Sequence, residues 1–440
     1  MSTNRKKLGA LLCVAVIGIV AASTAGAAHQ ASLTMKIGGT FPLSEGPQTG
    51  GASLYKTITG AEQAYFGYLN AHGGVDGKIK INDIVKDDQY TPSETVAADK
   101  TLVESDKVFA IVGSLGTAPG LATMNYLNNK KVPQVLLATG DEYWGDCALT
   151  GSAFHKVPGV CTSPKTWTMG WQPDYTGEGK LYGKRIEATV SHPKIGVLYQ
   201  NDAYGKNYLA GLTKGLGSHK SDICHTEAYS VGETNAQIIG RVGQIQGHGC
   251  NVLVIFATPG ASIASLIGES VLHYSPAATY LNNVSANRVF MLAAEQNGAH
   301  PNGVISTTYV KSQSVSPSDS AMQLGKAIIY ATGNAGLKHQ WDIGDANLVY
   351  GLAVAWTFAD AVHKAHLTSV TPTTANRLKL MKALRSLSES GGNKNPFVIP
   401  GMAVKTSSTR TWPMEQLQLE KWNGTTHDWA TSGGVSTSGH

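Results

Sequence analysis

The sequence has few charged residues for its length. Aspartate, glutamate, lysine and arginine make up 15% of the 440 residues, and hydrophobic residues make up 42%. This low charge content argues against a largely disordered chain and against a long solvated coiled coil. The 50 glycines follow no collagen-like period. We therefore expect a compact globular protein of two or three domains.

Motifs of common enzymes are also missing. The sequence has no Walker phosphate loop, no dinucleotide-binding glycine fingerprint and no GxSxG, HExxH or CxxC motif. His363 and His366 share one face of a predicted helix, but no carboxylate or third histidine is close in sequence, which favours surface histidines over a metal site. We expect no catalytic residue, no metal and no cofactor.

The amino terminus has the pattern of a secretory signal peptide. Residues 5–7 are basic, residues 8–20 are apolar, and Ala-Gly-Ala at 25–27 is typical of a cleavage site. An apolar run of about 13 residues is too short to span a bilayer, which needs roughly 20. Cys13 lies inside the apolar run rather than at its end, so lipid attachment is not expected. We predict that residues 1–27 are removed and that the protein is periplasmic.

Removal of the signal peptide leaves an almost neutral protein. Residues 1–27 hold three basic and no acidic side chains, so 35 basic and 30 acidic residues become 32 and 30. This balance gives no indication of nucleic-acid binding.

Export to an oxidising compartment allows the remaining cysteines to pair. We favour Cys147 with Cys161, across a loop rich in glycine and proline, and Cys224 with Cys250, which precede successive strand-like runs. Other pairings, or four buried free thiols, are the alternatives.

Strands and helices alternate along most of the chain, which predicts an α/β fold with mostly parallel sheets. The predicted strands are 33–40, 80–86, 108–112, 134–138, 194–199, 252–256 and 279–281. The predicted helices are 55–70, 93–105, 119–129, 204–216, 236–248, 262–272, 345–366 and 375–387. Segments 397–405 and 414–422 are predicted to form a long hairpin, and 431–440 a disordered tail.

Small and hydroxyl-bearing turns follow two of the predicted strands, where an open α/β sheet binds ligands. Residues 113–117 read Gly-Ser-Leu-Gly-Thr and precede a helix, whose free amides could hold a carboxylate. Residues 138–142 follow the neighbouring strand. Plain turns are the alternative for both segments. Asp87 and Asp88 end another strand, and a capping role is favoured over a place in a cleft.

Several segments, in this order and spacing, resemble the leucine/isoleucine/valine-binding family of periplasmic receptors for ABC importers. They are Thr59 to Ala64, Asn70 to Val75, Val112 to Thr117, Gln134 to Gly140, Trp167 to Gly170, and Gly196 to Asp202 with Tyr204-Gly205. The resemblance covers residues 33–425. It implies a type I periplasmic binding fold, in which two Rossmann-like lobes are joined by three crossings and close over a ligand.

Mapped onto this sequence, the resemblance gives one lobe of residues 33–160 plus 302–392 and another of 161–301 plus 393–430. Leu115, Gly116 and Thr117 would bind the ligand carboxylate, and the strand end at Gly140, Asp141 and Glu142 its amino or other polar end. The other contacts it implies are Ser53 near a lid position, Tyr204, Thr258 and Asn283 from the second lobe, and Tyr350 beside the side-chain pocket.

The sequence departs from the family at the ligand's amino group. Amino-acid receptors of this kind use an acidic residue of the second lobe, but residues 281–285 contain none, and a buried ammonium without a counter-charge would be costly. Our hypothesis is that Asp141 or Glu142 supplies this charge from the first lobe. The alternative is that both face solvent and that the ligand is not an amino acid.

The expected function is a non-enzymatic solute receptor of an ABC importer, acting as a monomer with a membrane permease as its partner. Its ligand would be a branched-chain amino acid or a related small polar solute. The alternatives are a receptor for an amine-free carboxylate or an amide, and a ligand sensor for a signalling partner. An exported enzyme would need a nucleophile and a base in the cleft, and no such arrangement is evident.

Overall fold

A computed structural model describes residues 33–46, 50–388 and 394–437. The predicted signal peptide lies outside the described residues, as does the end of the predicted tail. Among the described helices, none is both long and apolar enough to cross a membrane.

The first sheet has five parallel strands in the order β2-β1-β3-β4-β5. They are β1 (Leu33–Phe41), β2 (Ile79–Asp87), β3 (Ile111–Val112), β4 (Gln134–Leu137) and β5 (Thr168–Gly170). The short β3 pairs on both sides, with Gly38 next to Ile111 and with Val112 next to Val135. Strands that are buried on both faces are apolar throughout, so most of them could be predicted from the sequence.

The second sheet has seven strands in the order β12-β11-β10-β9-β8-β6-β7. They are β6 (Ile195–Gln200), β7 (Ile223–Tyr229), β8 (Val252–Phe256), β9 (Ala278–Leu281), β10 (Ile305–Thr308), β11 (Gln416–Asn423) and β12 (Asp428–Thr437). Strands β6 to β10 are parallel, and β11 runs antiparallel to both β10 and β12. The predicted α/β class with mostly parallel sheets is confirmed.

Helices connect the strands and cover the sheets. Those of the first half are α1 (Thr57–Ala71), α2 (Pro92–Glu104), α3 (Thr117–Asn129), α4 (Tyr143–Asp146), α5 (Tyr175–Thr189) and α6 (Ala203–Leu216). Those of the second half are α7 (Asn235–Gly247), α8 (Pro259–Val271), α9 (Arg288–Gln296), α10 (Ser320–Ala331), α11 (Ala335–Asp342), α12 (Ala346–Lys364) and α13 (Thr374–Leu384). Helix α12 is buried on nearly every face and packs on α1.

Of the predictions for the carboxyl-terminal segments, the strand at 414–422 is confirmed as β11, but its predicted partner and the disordered tail were wrong. Residues 397–405 form no strand, because Phe397, Met402 and Val404 are buried in the core around the first sheet, and only Val398 makes a bridge, to Val310. The hairpin is instead β11–β12, in which Trp422 pairs with Trp429. Residues 431–437 therefore continue a strand rather than a disordered tail, because β11 offers them a paired edge.

The lobe boundaries differ from those implied by the resemblance. Strand β5 pairs with β4, so the chain stays with the first sheet until Gly170 rather than leaving it at residue 160. Strand β10 belongs to the second sheet, so the return follows Thr308 rather than residue 301. The last crossing lies between Met414, buried with the first sheet, and Gln416, the start of β11. We call these two parts the first and the second lobe.

Each lobe contains one disulfide, in the pairing favoured from the sequence. Cys147 and Cys161 close a loop of the first lobe, with Cα atoms 5.9 Å apart. Cys224, in β7, is joined to Cys250, just before β8. Both Cys147 and Cys161 are buried against Trp144 and Leu137, so this loop has a small core of its own.

Candidate functional site

A cavity lies where the carboxyl ends of the strands of both sheets face each other. Both lobes line it, through the loops after β3, β4 and β5 and those after β6, β8, β9 and β10. This is the position at which α/β sheets bind ligands. Of the eleven ligand contacts implied by the resemblance, seven line the cavity: Leu115, Gly116, Thr117, Tyr204, Thr258, Asn283 and Tyr350.

The first lobe presents the start of α3. The amide of Leu115 donates to Thr40 and that of Gly116 to Ala138, which fixes the turn. The first amides of the helix, those of Thr117 and Ala118, have no carbonyl partner within the helix, so they can bind an anionic group. The hydroxyl of Thr117 lies 2.8 Å from that of Thr139. Gly116 has φ +107°, and a Cβ there would meet the ring of Tyr90.

The second lobe presents hydroxyl and amide groups from three loops. The Thr258 amide donates to the Tyr229 hydroxyl at 3.0 Å. The Tyr204 hydroxyl accepts a hydrogen bond from Asn282. Asn283 begins the turn after β9, and its side chain is held by an acid behind the cavity wall.

That acid, Glu178 of α5, was missed by the sequence analysis. It is fully buried, and its carboxylate accepts hydrogen bonds from the Tyr208 hydroxyl at 2.7 Å, the Thr307 hydroxyl at 3.0 Å, the Asn283 amide at 2.8 Å and the Asn283 side chain. The Tyr182 hydroxyl, 2.6 Å away, shares its proton between Glu178 and the Leu281 carbonyl.

Burial raises the pKa of Glu178, and its hydrogen-bond donors offset only part of this rise. Because Asn283 and Thr307 donate to this acid, the amide oxygen of Asn283 and the hydroxyl oxygen of Thr307 remain available as acceptors towards the cavity that both residues line. The only sequence signal for Glu178 is its place between Gly177 and Gly179, which indicates close packing rather than ligand binding.

Six tyrosines line the cavity, and four of them were not predicted: Tyr55, Tyr90, Tyr175 and Tyr309. Tyr175 and Tyr204 meet edge to face with ring centroids 5.1 Å apart, and burial raises the pKa of both. The other polar lining groups are threonines and the amides Gln172, Asn283, Asn287 and Asn347. Of the residues that the structure describes, none with a charged side chain lines this cavity.

Four implied contacts do not line the cavity. Ser53 donates to Glu45, and the Gly140 carbonyl accepts from the Tyr175 amide at 2.8 Å. Asp141 is fully buried and accepts from the Tyr143 amide at 3.0 Å, at the start of α4. Glu142 accepts from the Thr176 hydroxyl at 3.3 Å. The structure therefore does not place a counter-charge from Asp141 or Glu142 in the cavity.

Other polar residues singled out in the sequence have structural partners. Asp87 accepts from the Leu43 amide at 2.9 Å, and Asp88 from the Tyr90 amide at 3.0 Å, which agrees with the predicted capping role. His363 contacts Asp76 rather than a metal cluster.

The two lobes touch across the rim of the cavity. The Tyr55 hydroxyl donates to the Val284 carbonyl at 2.9 Å, and the Asn287 side chain donates to Asp345 at 2.7 Å. At another point Gly51 meets Gly260 so closely that a Cβ on Gly260 would lie 2.6 Å from the carbonyl oxygen of Gly50. The cleft is therefore closed in this conformation.

Two α/β lobes that close over a cavity at their strand ends define a ligand-binding receptor. A sequence profile described as "Periplasmic binding protein" matches residues 34–403. The chain therefore belongs to the periplasmic binding protein family, and its resemblance to the leucine/isoleucine/valine-binding receptors is confirmed. No curated protein sequence matches it.

Solved structures show the same fold. One is a branched-chain amino acid ABC transporter protein from Thermus thermophilus with bound valine, with a TM-score of 0.73, 14% identity, and coverage of 93% of this chain and 97% of that one. Another is a substrate-binding periplasmic protein from Ralstonia solanacearum, with a TM-score of 0.69, 18% identity, and coverage of 92% and 99%. A third is a possible leucine/isoleucine/valine-binding protein from Rhodopirellula baltica, with a TM-score of 0.69, 14% identity, and coverage of 91% of this chain and 96% of that one.

Proposed function

We propose that the protein is the extracytoplasmic solute receptor of an ABC importer and has no catalytic activity of its own. The observation that carries this proposal is the closed cavity lined by both lobes, because a ligand there would stabilise the closed state by contacting both sides. The closed form would then be the form that a membrane permease recognises. The likeness to the branched-chain amino acid ABC transporter protein from Thermus thermophilus supports the importer role.

We propose a small carboxylate with an apolar or aromatic body as the ligand. Its carboxylate would bind the free amides and the hydroxyl at the start of α3, and its body would pack among the tyrosines. A branched-chain amino acid fits this description if its ammonium group binds the acceptor oxygens of Asn283 and Thr307, which Glu178 polarises from behind the wall.

An amine-free carboxylate is the second candidate. It is favoured by the uncharged cavity wall, because an ammonium group buried there would have no counter-ion in direct contact. Both candidates share the carboxylate site and differ only in the amino group.

A thermal-shift screen of the mature protein tests the proposal, because a ligand that binds only the folded state raises the melting temperature. The panel would pair each aliphatic or aromatic amino acid with its deaminated analogue and with its amide. Calorimetry on the hits would then compare the wild type with Thr117→Val. We expect this variant to lose at least about tenfold in affinity, since a hydrogen bond to a charged group contributes about 1.5–3 kcal/mol.

Tyr330→Phe is the matched control, because Tyr330 lies on the surface of α10 and bonds Asp342. Hits restricted to amino acids would support the first candidate, and hits among deaminated acids the second. No hit in the panel, or hits that Thr117→Val leaves unchanged, would contradict the proposed carboxylate receptor.

A further inference from the structure

Three metal-ligand side chains meet on an exposed groove of the second lobe. Glu187 lies near the end of α5, and His219 and Asp222 lie in the 3₁₀ turn (Gly217–Asp222) that follows α6. One donor atom of each lies within 4.8 Å of those of the other two. The His219 Nδ1 atom is 3.4 Å from Glu187 and 3.8 Å from Asp222. We propose that this cluster is a site for a divalent transition metal, with Zn²⁺ as the best fit.

The spacing of the donors supports this proposal. Charge-assisted hydrogen bonds between an imidazole and a carboxylate are usually about 2.7–2.9 Å long, so these pairs are wider than direct partners would be. Around tetrahedral Zn²⁺, bond lengths of about 2.1 Å place two ligands about 3.4 Å apart. The observed separations of His219 Nδ1 from the two carboxylates, 3.4 and 3.8 Å, are at or slightly above this ligand-to-ligand distance.

The chemistry of the donors also fits. One imidazole and two carboxylates suit Zn²⁺ and its neighbours in the transition series, and two carboxylates balance the charge of a dication. Three protein ligands leave a fourth position for water.

One further observation points to a cation at this place. The second carboxylate oxygen of Glu187 is buried and has no hydrogen-bond partner among the described residues. His192 and His248 line the same groove but lie outside the cluster. No metal was expected from the sequence, and no local motif marks this cluster, because β6 and α6 separate Glu187 from the other two ligands in the chain.

The position of the site indicates what a metal would do. Helices α5 and α6 pack with their backbones in contact, since a Cβ on Gly183 would lie 2.6 Å from the Leu212 carbonyl and a Cβ on Gly215 2.3 Å from that of Lys180. A metal held by Glu187, His219 and Asp222 would join the carboxyl-terminal ends of these helices. It would stabilise the second lobe without touching the solute cavity.

The test uses the mature protein without a histidine tag, after treatment with EDTA. We expect calorimetry to show one equivalent of bound Zn²⁺, Zn²⁺ to raise the melting temperature, and Co²⁺ to give the visible absorption of a low-symmetry site. His219→Ala and the isosteric Glu187→Gln should each weaken Zn²⁺ binding by at least about tenfold. Both should melt like the wild type in EDTA, which shows that they fold.

His192→Ala is the matched control, because His192 lines the groove outside the cluster. It should bind Zn²⁺ as the wild type does. The proposal would be overturned by a wild type without saturable Zn²⁺ binding, by unchanged binding in His219→Ala, or by a loss confined to His192→Ala.

Discussion

Each lobe contains a buried glutamate, and the two have opposite surroundings. In the second lobe, hydroxyl and amide groups surround Glu178 and donate to it. In the first lobe, Glu62 of α1 lies under Gly113, and its Oε1 atom has no partner among the described residues. Burial raises the pKa of Glu62 far above its usual value, and the nearby Asp83 raises it further.

This comparison shows that burial raises the pKa of both acids and that hydrogen-bond donors oppose the rise only at Glu178. The donors around Glu178 offset part of the rise in pKa that burial causes, and the acid contacts residues that line the cavity. Glu62 has none at Oε1 and is expected to hold a proton. Three predictions test this difference, and they follow in order of decreasing effect.

The largest expected effect is that of removing Glu178. Glu178→Ala would leave the Tyr208 and Thr307 hydroxyls and the Asn283 amides buried without an acceptor, at a cost of about 4 kcal/mol in unfolding free energy. Glu178→Gln keeps one acceptor oxygen and should cost about half as much. Denaturant unfolding of the two variants and the wild type measures both values. A loss below about 1 kcal/mol for Glu178→Ala would show that its hydrogen bonds are not needed for the fold.

Glu62 is expected to change how stability depends on pH. At low pH, where it is protonated in both the folded and the unfolded state, its ionisation should have no effect on stability. Its pKa is higher in the folded state than in the unfolded state, so the folded state binds more protons and stability falls as pH rises above about 4.5. Each group of this kind contributes at most about 1.4 kcal/mol for each pH unit.

In Glu62→Gln this contribution should disappear, and the variant should be more stable than the wild type at alkaline pH. Melting curves from pH 5 to 8 measure the difference between the two proteins. Asp88 and Asp99, whose pKa values burial raises to about 6 and about 7, contribute equally to both proteins and cancel in the comparison. Parallel curves for the two proteins would mean that Glu62 is ionised despite its surroundings.

The smallest expected effect concerns the rim where the lobes meet. Gly260→Ala would place a methyl group 2.6 Å from the Gly50 carbonyl, so the closed state would have to open slightly. We expect about tenfold weaker binding of the best ligand from the screen, with little change in the ligand-free melting temperature.

Gly240→Ala in α7 is the matched control, since a Cβ there meets nothing within 4 Å. It should stabilise the protein by up to about 1 kcal/mol and leave the affinity unchanged. Equal affinities in the two variants would mean that the contact between Gly51 and Gly260 does not form when the ligand binds.

The sequence predicted the parallel strands and most helices because their signals are local. Runs such as Val252–Phe256 are apolar on both faces, and turns such as that before Thr117 have a glycine where φ is positive. The partner of β11 was misplaced, because residues 397–405 are as apolar as a strand but pack into the core, whereas β12 pairs with β11 across a short turn.

The amino-acid sequence by itself determined the α/β class, the family and seven of the cavity contacts, because these depend on short motifs whose order is preserved. Only the tertiary structure decided which acid lies behind the cavity wall. Asp141 was one of the predicted site residues, yet its carboxylate accepts from the Tyr143 amide at the start of α4, whereas Glu178 lies behind the cavity wall on a helix that was not predicted. The same is true of the Glu187, His219 and Asp222 cluster, because side chains that are distant in sequence become neighbours only when two helices pack.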